Sequence, residues 1–310
     1  MAAASTPTDL SVWERFWTFS FYQHALGGAM PIAVVCSVLS VFVVLRRMTF
    51  IGQGISHSAF GGAGLALLLT LVLPGMRTPL ARDGVIAASC VATALLIGWL
   101  ARRRRVREDS AIGICLVGTM ALGLLLIDVR SIWFEHLRNT GQLDYQALGY
   151  TPPLHSLLFG NILSIPRGEL PVVWAVCAVI LLGALVFYKE LVFFAFDEEG
   201  ADVFGVRTSL LYYGLLVALA ISIVAAMRFL GVILCSALLV LPGASGNLWS
   251  RRIGYVTVMS VVVGLVGVIA GVFLAIWLEG LSTGPVIVLV LCGCFGLSHL
   301  VAWTRRLAGR

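Results

Sequence analysis

The chain has 310 residues, of which 60% are apolar (Ala, Val, Ile, Leu, Met, Phe, Trp, Tyr, Cys) and 12% are Asp, Glu, Lys or Arg, with a net charge of +6 and mean hydropathy of +1.00. Soluble domains carry roughly a quarter charged residues, so a soluble enzyme and a disordered chain are both excluded. The 33 glycines show no fixed period and the seven cysteines are sparse and odd in number, which removes fibrous proteins and secreted disulfide scaffolds.

Residues 1–10 are small and polar, without the basic start and apolar run of a cleavable signal, and none is expected. Residues 11–22 hold Trp13, Phe16, Trp17, Phe19, Phe21 and Tyr22 beside Glu14 and Arg15. That stretch is too short and too aromatic to span, and predicts a helix in the membrane interface, within an interfacial segment 1–26. A crossing needs about 20 apolar residues. The expected spans are 27–45, 54–73, 84–100, 110–127, 170–188, 209–227, 229–241, 255–278 and 284–303, so that 1–310 forms one all-α transmembrane domain with eight or nine crossings. The seventh is short enough to be part of a broken helix.

Alternating sides along nine spans places 14 of the 21 Lys and Arg on one side and seven on the other. The richer side should be cytoplasmic, which puts the N-terminus outside and the C-terminus inside. The positive charge then meets anionic lipid, and no nucleic acid is expected even at Arg102–Arg105, which lies between two spans. Two connections are more than simple turns. Residues 128–169 form an outside loop carrying Asp128, Glu135, His136, Asp144 and His155. On the inside, 189–208 is patterned: Asp197 can cap a helix whose first turn holds Glu198 and Glu199, and Gly205 stands where a C-terminal glycine belongs. A short amphipathic helix is expected there, with Ala201 and Phe204 on one face.

The strongest local signal for chemistry is the run from Gly52 to Gly64. Gly54, Ser58, Gly62 and Ala66 make one small-residue stripe; Gln53, His57, Gly61 and Gly64 make a second. An imidazole beside an amide on a membrane helix can line a polar pathway, and neutral imidazole is a preferred ligand of late divalent ions. Equally, His57 can simply hydrogen-bond a neighbouring helix, and the residues alone leave both readings open. His24, His136, His155 and His299 have no closed-site spacing, and Cys292 and Cys294 point in different directions on one helix. No nucleotide-binding loop of the Walker type occurs. Gly243-Ala244-Ser245-Gly246, with His299 two spans on, has the form of a rhomboid-type intramembrane protease, but four residues in a glycine-rich chain more often make a tight helix end.

Together these motifs resemble the permease subunits of bacterial ABC importers for zinc, manganese and iron. The resemblance rests on Arg46-Arg47-Met48-Thr49-Phe50 leading into Gly52-Gln53-Gly54-Ile55-Ser56-His57-Ser58, on Glu108-Asp109-Ser110-Ala111-Ile112-Gly113, and on Leu158-Phe159-Gly160-Asn161-Ile162-Leu163. It continues in Phe196-Asp197 with Glu199, Ala201 and Gly205, and in Gly231-Val232 through Ser236-Ala237-Leu238-Leu239 to Pro242. It implies the helical fold of metal and vitamin B12 importer permeases, a homodimer, two cytosolic ATPase subunits that use ATP, and an extracytoplasmic metal-binding protein. It binds no cofactor of its own in this scheme; a divalent metal is cargo. The resemblance further implies that His57, with Gln53, lies on the transit pathway, that Phe196, Asp197, Glu199, Ala201 and Gly205 couple to the ATPase, and that Gly52, Ser56, Gly61, Asn161 and Pro242 pack around the pathway and its gates. Where such permeases carry an acidic residue after the glycine, this chain has Gln53, which supplies no compensating charge to a dication. A standalone secondary carrier or channel is the alternative, disfavoured by the lack of carboxylates within the spans.

Overall fold

The computed structural model describes residues 12–73, 78–102, 107–139, 167–278 and 281–308. Twelve α-helices occupy these segments, with no strand among the described residues. They are α1 (Val12–Thr18), α2 (Ser20–Leu45), α3 (Ile51–Val72), α4 (Pro79–Arg102), α5 (Glu108–Asn139), α6 (Leu170–Val186), α7 (Tyr188–Phe196), α8 (Glu198–Val203), α9 (Thr208–Leu238), α10 (Leu241–Trp249), α11 (Ile253–Trp277) and α12 (Thr283–Ala308).

Among the described residues, eight helical stretches are long and apolar enough to cross a membrane, and the pair α6–α7, bent by 67°, makes up to nine. The outward side chains are those of a protein dissolved in lipid: Ile132, Val179, Leu185 and Leu289 are each about 70% exposed. Most boundaries fall near the expected ones, with two informative differences. α2 starts at Ser20, and its 26 residues extend about 39 Å, beyond the ~30 Å of hydrocarbon. α2 therefore begins inside the stretch 1–26, with its first turns long enough to remain at the interface. α5 continues through Asn139, so that Asp128, Arg130, Glu135 and His136 are helical and not part of a loop. Hydropathy marks where a helix leaves the hydrocarbon, not where its hydrogen-bond ladder ends.

The chain divides into two compact units. The first comprises Met1–Arg47, Leu158–Phe196 and Ala225–Arg310. In it α11 packs on α2, α10 and α12, and α2 on α6. Small residues allow this closeness: a Cβ on Gly271 would meet the Ile287 backbone at 2.7 Å, and one on Gly246 the Val256 carbonyl oxygen at 2.6 Å. The aromatic α1 folds back onto α11, with the Trp13 and Phe16 rings 6.1 and 5.2 Å from Phe273. Arg46, at the end of α2, places its guanidinium 4.4 Å from the Phe194 ring of α7. The span expected at 229–241 is a broken one: Phe229–Trp249 includes α10, and Gly231 adopts φ 76°, ψ 166°, a conformation open to glycine alone.

The second unit comprises Met48–Leu157 and Asp197–Val224. Its centre is α3 packed between α4 and α5. The small residues of α3 let both neighbours come close: a Cβ on Gly54 would lie 2.8 Å from Ile112 of α5 and 3.7 Å from Ile97 of α4. Gly62 meets Ile86 and Ser89 of α4, while Gly61 and Gly64 meet Thr119 and Gly123 of α5.

Candidate functional site

Two places in the second unit hold most of the residues singled out in the sequence. The first is the N-terminal half of α3. Gly52 is buried, Gln53 is exposed, and Ser56 is buried with its hydroxyl donating to the Gln53 carbonyl at 3.1 Å. His57 is half-buried, its ring stacked on Phe60 at 5.8 Å. Its Nδ1 is shielded from solvent and has no hydrogen-bond partner among the described residues. A buried ring nitrogen is costly to leave unsatisfied. The second stripe is not equally open along its length. A Cβ on Gly61 would come 2.9 Å from the Thr119 carbonyl oxygen, so the stripe is sealed by α5 beyond His57 and open at Gln53. Helical spacing places residues on one face but does not say how far along it a neighbour reaches.

No group of three or more His, Cys, Asp or Glu side chains able to hold a metal occurs among the described residues. His57 and Gln53 thus form at most part of a site. Asn161 and the element from Leu158 to Leu163, like Asp144 and His155, lie outside the described residues. Pro242 is buried in the first turn of α10, where a missing N–H costs nothing.

The second place is α8. Asp197 caps it, accepting a hydrogen bond from the Gly200 N–H at 2.8 Å. Glu198 and Glu199 occupy the first turn. Gly205 closes it at φ 83°, with its own N–H bonded to the Asp202 carbonyl and the Val206 N–H to the Ala201 carbonyl, a Schellman ending. Ala201 and Phe204 do not share a face. Ala201 is fully buried, whereas Val203 and Phe204 are 84% and 80% exposed. The helix ends at Val203, and Phe204 already has non-helical backbone angles, so the three-residue spacing no longer applies. Phe196, at the end of α7, is exposed as well. Two large apolar side chains thus project from a short, doubly capped, acid-tipped helix.

Arg102, at the end of α4, is engaged here and was not marked by its sequence context, where it is one of four consecutive arginines. It pairs with Glu198 at 3.1 Å. Val203 was missed for a similar reason, since exposure on a six-residue helix leaves no periodic trace.

The protease alternative fails on geometry. Ser245 is fully buried and its hydroxyl donates at 2.8 Å to the Leu241 carbonyl of its own helix, while His299 is exposed and rests on Phe295. A nucleophile committed to its own backbone and a histidine on an exposed face do not make a dyad.

A bundle of lipid-facing helices, with a capped extramembrane helix and an orphaned imidazole on a glycine-lined span, defines a polytopic membrane permease. Residues 18–302 match the model of the ABC 3 transport family, and the chain belongs to that family. It is 31% identical to the manganese transport system membrane protein MntC of Halalkalibacterium halodurans over 92% of this chain and 88% of that one. It is also 31% identical to the chelated iron transport system membrane protein YfeD of Yersinia pestis, over 88% and 83%. Among solved structures it resembles PsaBC from Streptococcus pneumoniae in complex with Fab, with TM-score 0.73, 27% identity, and coverage of 93% of this chain and 94% of that one. The chain is accordingly a transport subunit, and its all-helical multi-pass fold is that of its family.

Proposed function

We propose that this permease carries a divalent transition metal, with manganese the first candidate and iron and zinc next, inward across a bacterial cytoplasmic membrane by alternating access. Residues 1–310 act as one permease domain, paired with a second copy, with two cytosolic ATPase subunits and an extracytoplasmic metal-binding protein. The basic segments, including Arg46, Arg47, Arg251 and Arg252, face the cytoplasm in this arrangement, with the N-terminus outside and the C-terminus inside. ATP is used by the partner, and the metal is cargo.

The observation that carries the metal reading is the shielded, unpartnered Nδ1 of His57, one helical turn from Gln53. The names of the manganese and iron relatives support it. A site of imidazole, amide and backbone oxygen binds a dication loosely, which suits transit because a tight site would not release its cargo. Val203 and Phe204, flanked by the acidic turn of α8, are the contact offered to the ATPase, with Phe196, Asp197, Glu199, Ala201 and Gly205 shaping it. Gly52, Ser56 and Gly61 pack beside His57 and Gln53 on the same helix and shape that part of the path; Pro242 and Asn161 keep the pathway roles that the resemblance implies.

The decisive experiment reconstitutes permease, ATPase and binding protein in vesicles and follows uptake of Mn²⁺, Zn²⁺ and Fe²⁺ with and without ATP. ATP-dependent uptake of one of them, lost in His57→Ala, is expected. Metal uptake by the permease alone would overturn the reading in favour of a secondary carrier.

A further inference from the structure

One guanidinium at the end of α4 is engaged by four groups. Arg102 Nη2 lies 3.1 Å from Glu198 Oε1, and Nη1 donates to the Ser209 hydroxyl. The same guanidinium carbon stands 5.1 Å from the Tyr212 ring centroid and 5.7 Å from that of Tyr213. All five residues belong to the second unit. Glu198 opens α8; Ser209, Tyr212 and Tyr213 form the first turns of α9. Arg102 therefore grips both arms of the turn at Gly205 from a membrane-spanning helix that is distant in sequence.

This grip matters because it ties α8, whose Asp202 is held by the Thr208 hydroxyl at 3.2 Å, to a membrane-spanning helix. Six residues are far too few for a helix to persist alone. Its caps are local, and only Ala201 of its residues is buried. Close behind the grip, a Cβ on Gly98 would strike the rings of Tyr212 and Tyr213 within 3.2 Å, so α4 and α9 are already in close contact one turn before Arg102. A push on α8 thus has a short, stiff route into two spans. The ion pair is about one-third exposed on each side, 29% and 35%, so its static contribution to stability is small. Its geometry is what is particular: a planar fork that pairs with a carboxylate, reaches a hydroxyl and lies against aromatic rings, which an ammonium cannot reproduce.

We propose that Arg102 is a positioning residue that transmits displacement of α8 to α4 and α9, and so sets how much cargo moves per ATP hydrolysed. This rests on the reading of α8 as the ATPase contact. Arg102 touches neither cargo nor nucleotide; it acts through Glu198 and the start of α9. Energetic coupling between sites requires an element whose arrangement both of them bias, and the Arg102 cluster is the link between α8 and the spans.

The test uses the complete transporter, permease with ATPase and binding protein, in proteoliposomes, measuring ATP hydrolysis and Mn²⁺ uptake in parallel. In Arg102→Met the ratio of Mn²⁺ moved to ATP hydrolysed is expected to fall about threefold or more, while ATPase binding is retained. Glu198→Gln should lower the ratio less, and Arg102→Lys should restore only part of it. Glu198→Gln also decides the matter if Arg102→Met does not fold, because Glu198 lies at the periphery of the unit. An unchanged ratio in these variants, with uptake and hydrolysis falling together or only the protein yield changing, overturns the proposal. Failure of the underlying reading looks different: there the wild type itself moves Mn²⁺ without ATP, or Phe204→Glu binds the ATPase normally.

Discussion

Gly64 of α3 and Gly123 of α5 meet backbone to backbone. A Cβ on Gly64 would lie 2.6 Å from the Gly123 carbonyl oxygen, and a Cβ on Gly123 would lie 2.6 Å from that of Phe60. In lipid, where burying apolar surface between helices gains little, such contact supplies much of the association through dispersion and backbone polarity. Gly64→Val or Gly123→Val should therefore cost about 1–3 kcal/mol, the scale of overpacking, visible as a lower melting temperature in detergent. Gly113→Ala in the same helix, with nothing within 4 Å of its Cβ position, is the matched control and should melt like the wild type.

His57→Ala should leave folding and ATPase association intact while metal uptake collapses. Removing even an outer partner of a metal ligand costs about 10–100-fold in affinity or activity, and losing a direct ligand should cost no less. Uptake of Mn²⁺ into vesicles gives the measurement, with Gln53→Asp as a companion. A carboxylate there should tighten metal retention and slow release, seen as a lower apparent KM and a lower maximal rate.

The α8 surface predicts a separation of effects. Phe204→Glu replaces an 80%-exposed ring with a charge and should abolish ATPase co-purification at a cost of about 2 kcal/mol or more, while the permease melts normally. Asp197→Ala removes only the cap, worth about 1 kcal/mol, and should weaken that association partially.

Gly205→Ala isolates a conformational cost. No atom lies within 4 Å of the added Cβ, yet φ is 83°. The penalty of about 1–2 kcal/mol for a left-handed L-residue should appear as reduced ATPase binding, and Gly205→Asn should be milder.

Ser245→Ala should be silent in transport, within about twofold. Its hydroxyl serves only the Leu241 carbonyl, which also belongs to the helical ladder, and such back-bonding adds little to stability. Any proteolytic activity that vanished with this substitution would contradict the transport assignment.

The spans were legible in the sequence because hydropathy over some 20 residues is a local property and the bilayer reads it directly. The ends of α8 were legible for the same reason: Asp197 and Gly205 act within one turn of themselves. The extension of α5 to Asn139 was not, since polar residues such as Asp128 and Glu135 mark the end of the hydrocarbon, and a helix is free to continue past it. The pairing of Ala201 with Phe204 misled because periodicity assumes a helix that had already ended.

Composition and motif order by themselves determined that this is a polytopic helical permease with an extramembrane capped helix and one histidine placed on a glycine-rich span. Only tertiary structure decided which faces were used. It turned the Gly61–Gly64 side of α3 against α5, left the His57 Nδ1 shielded and unpartnered, and committed Ser245 to its own helix. It also drew Arg102, one basic residue in a run of four, onto Glu198, nearly a hundred residues away. Solvation and capping act within a turn or a span and leave their mark on neighbouring residues. Contacts between helices depend on the arrangement of the whole unit, and no local pattern records them.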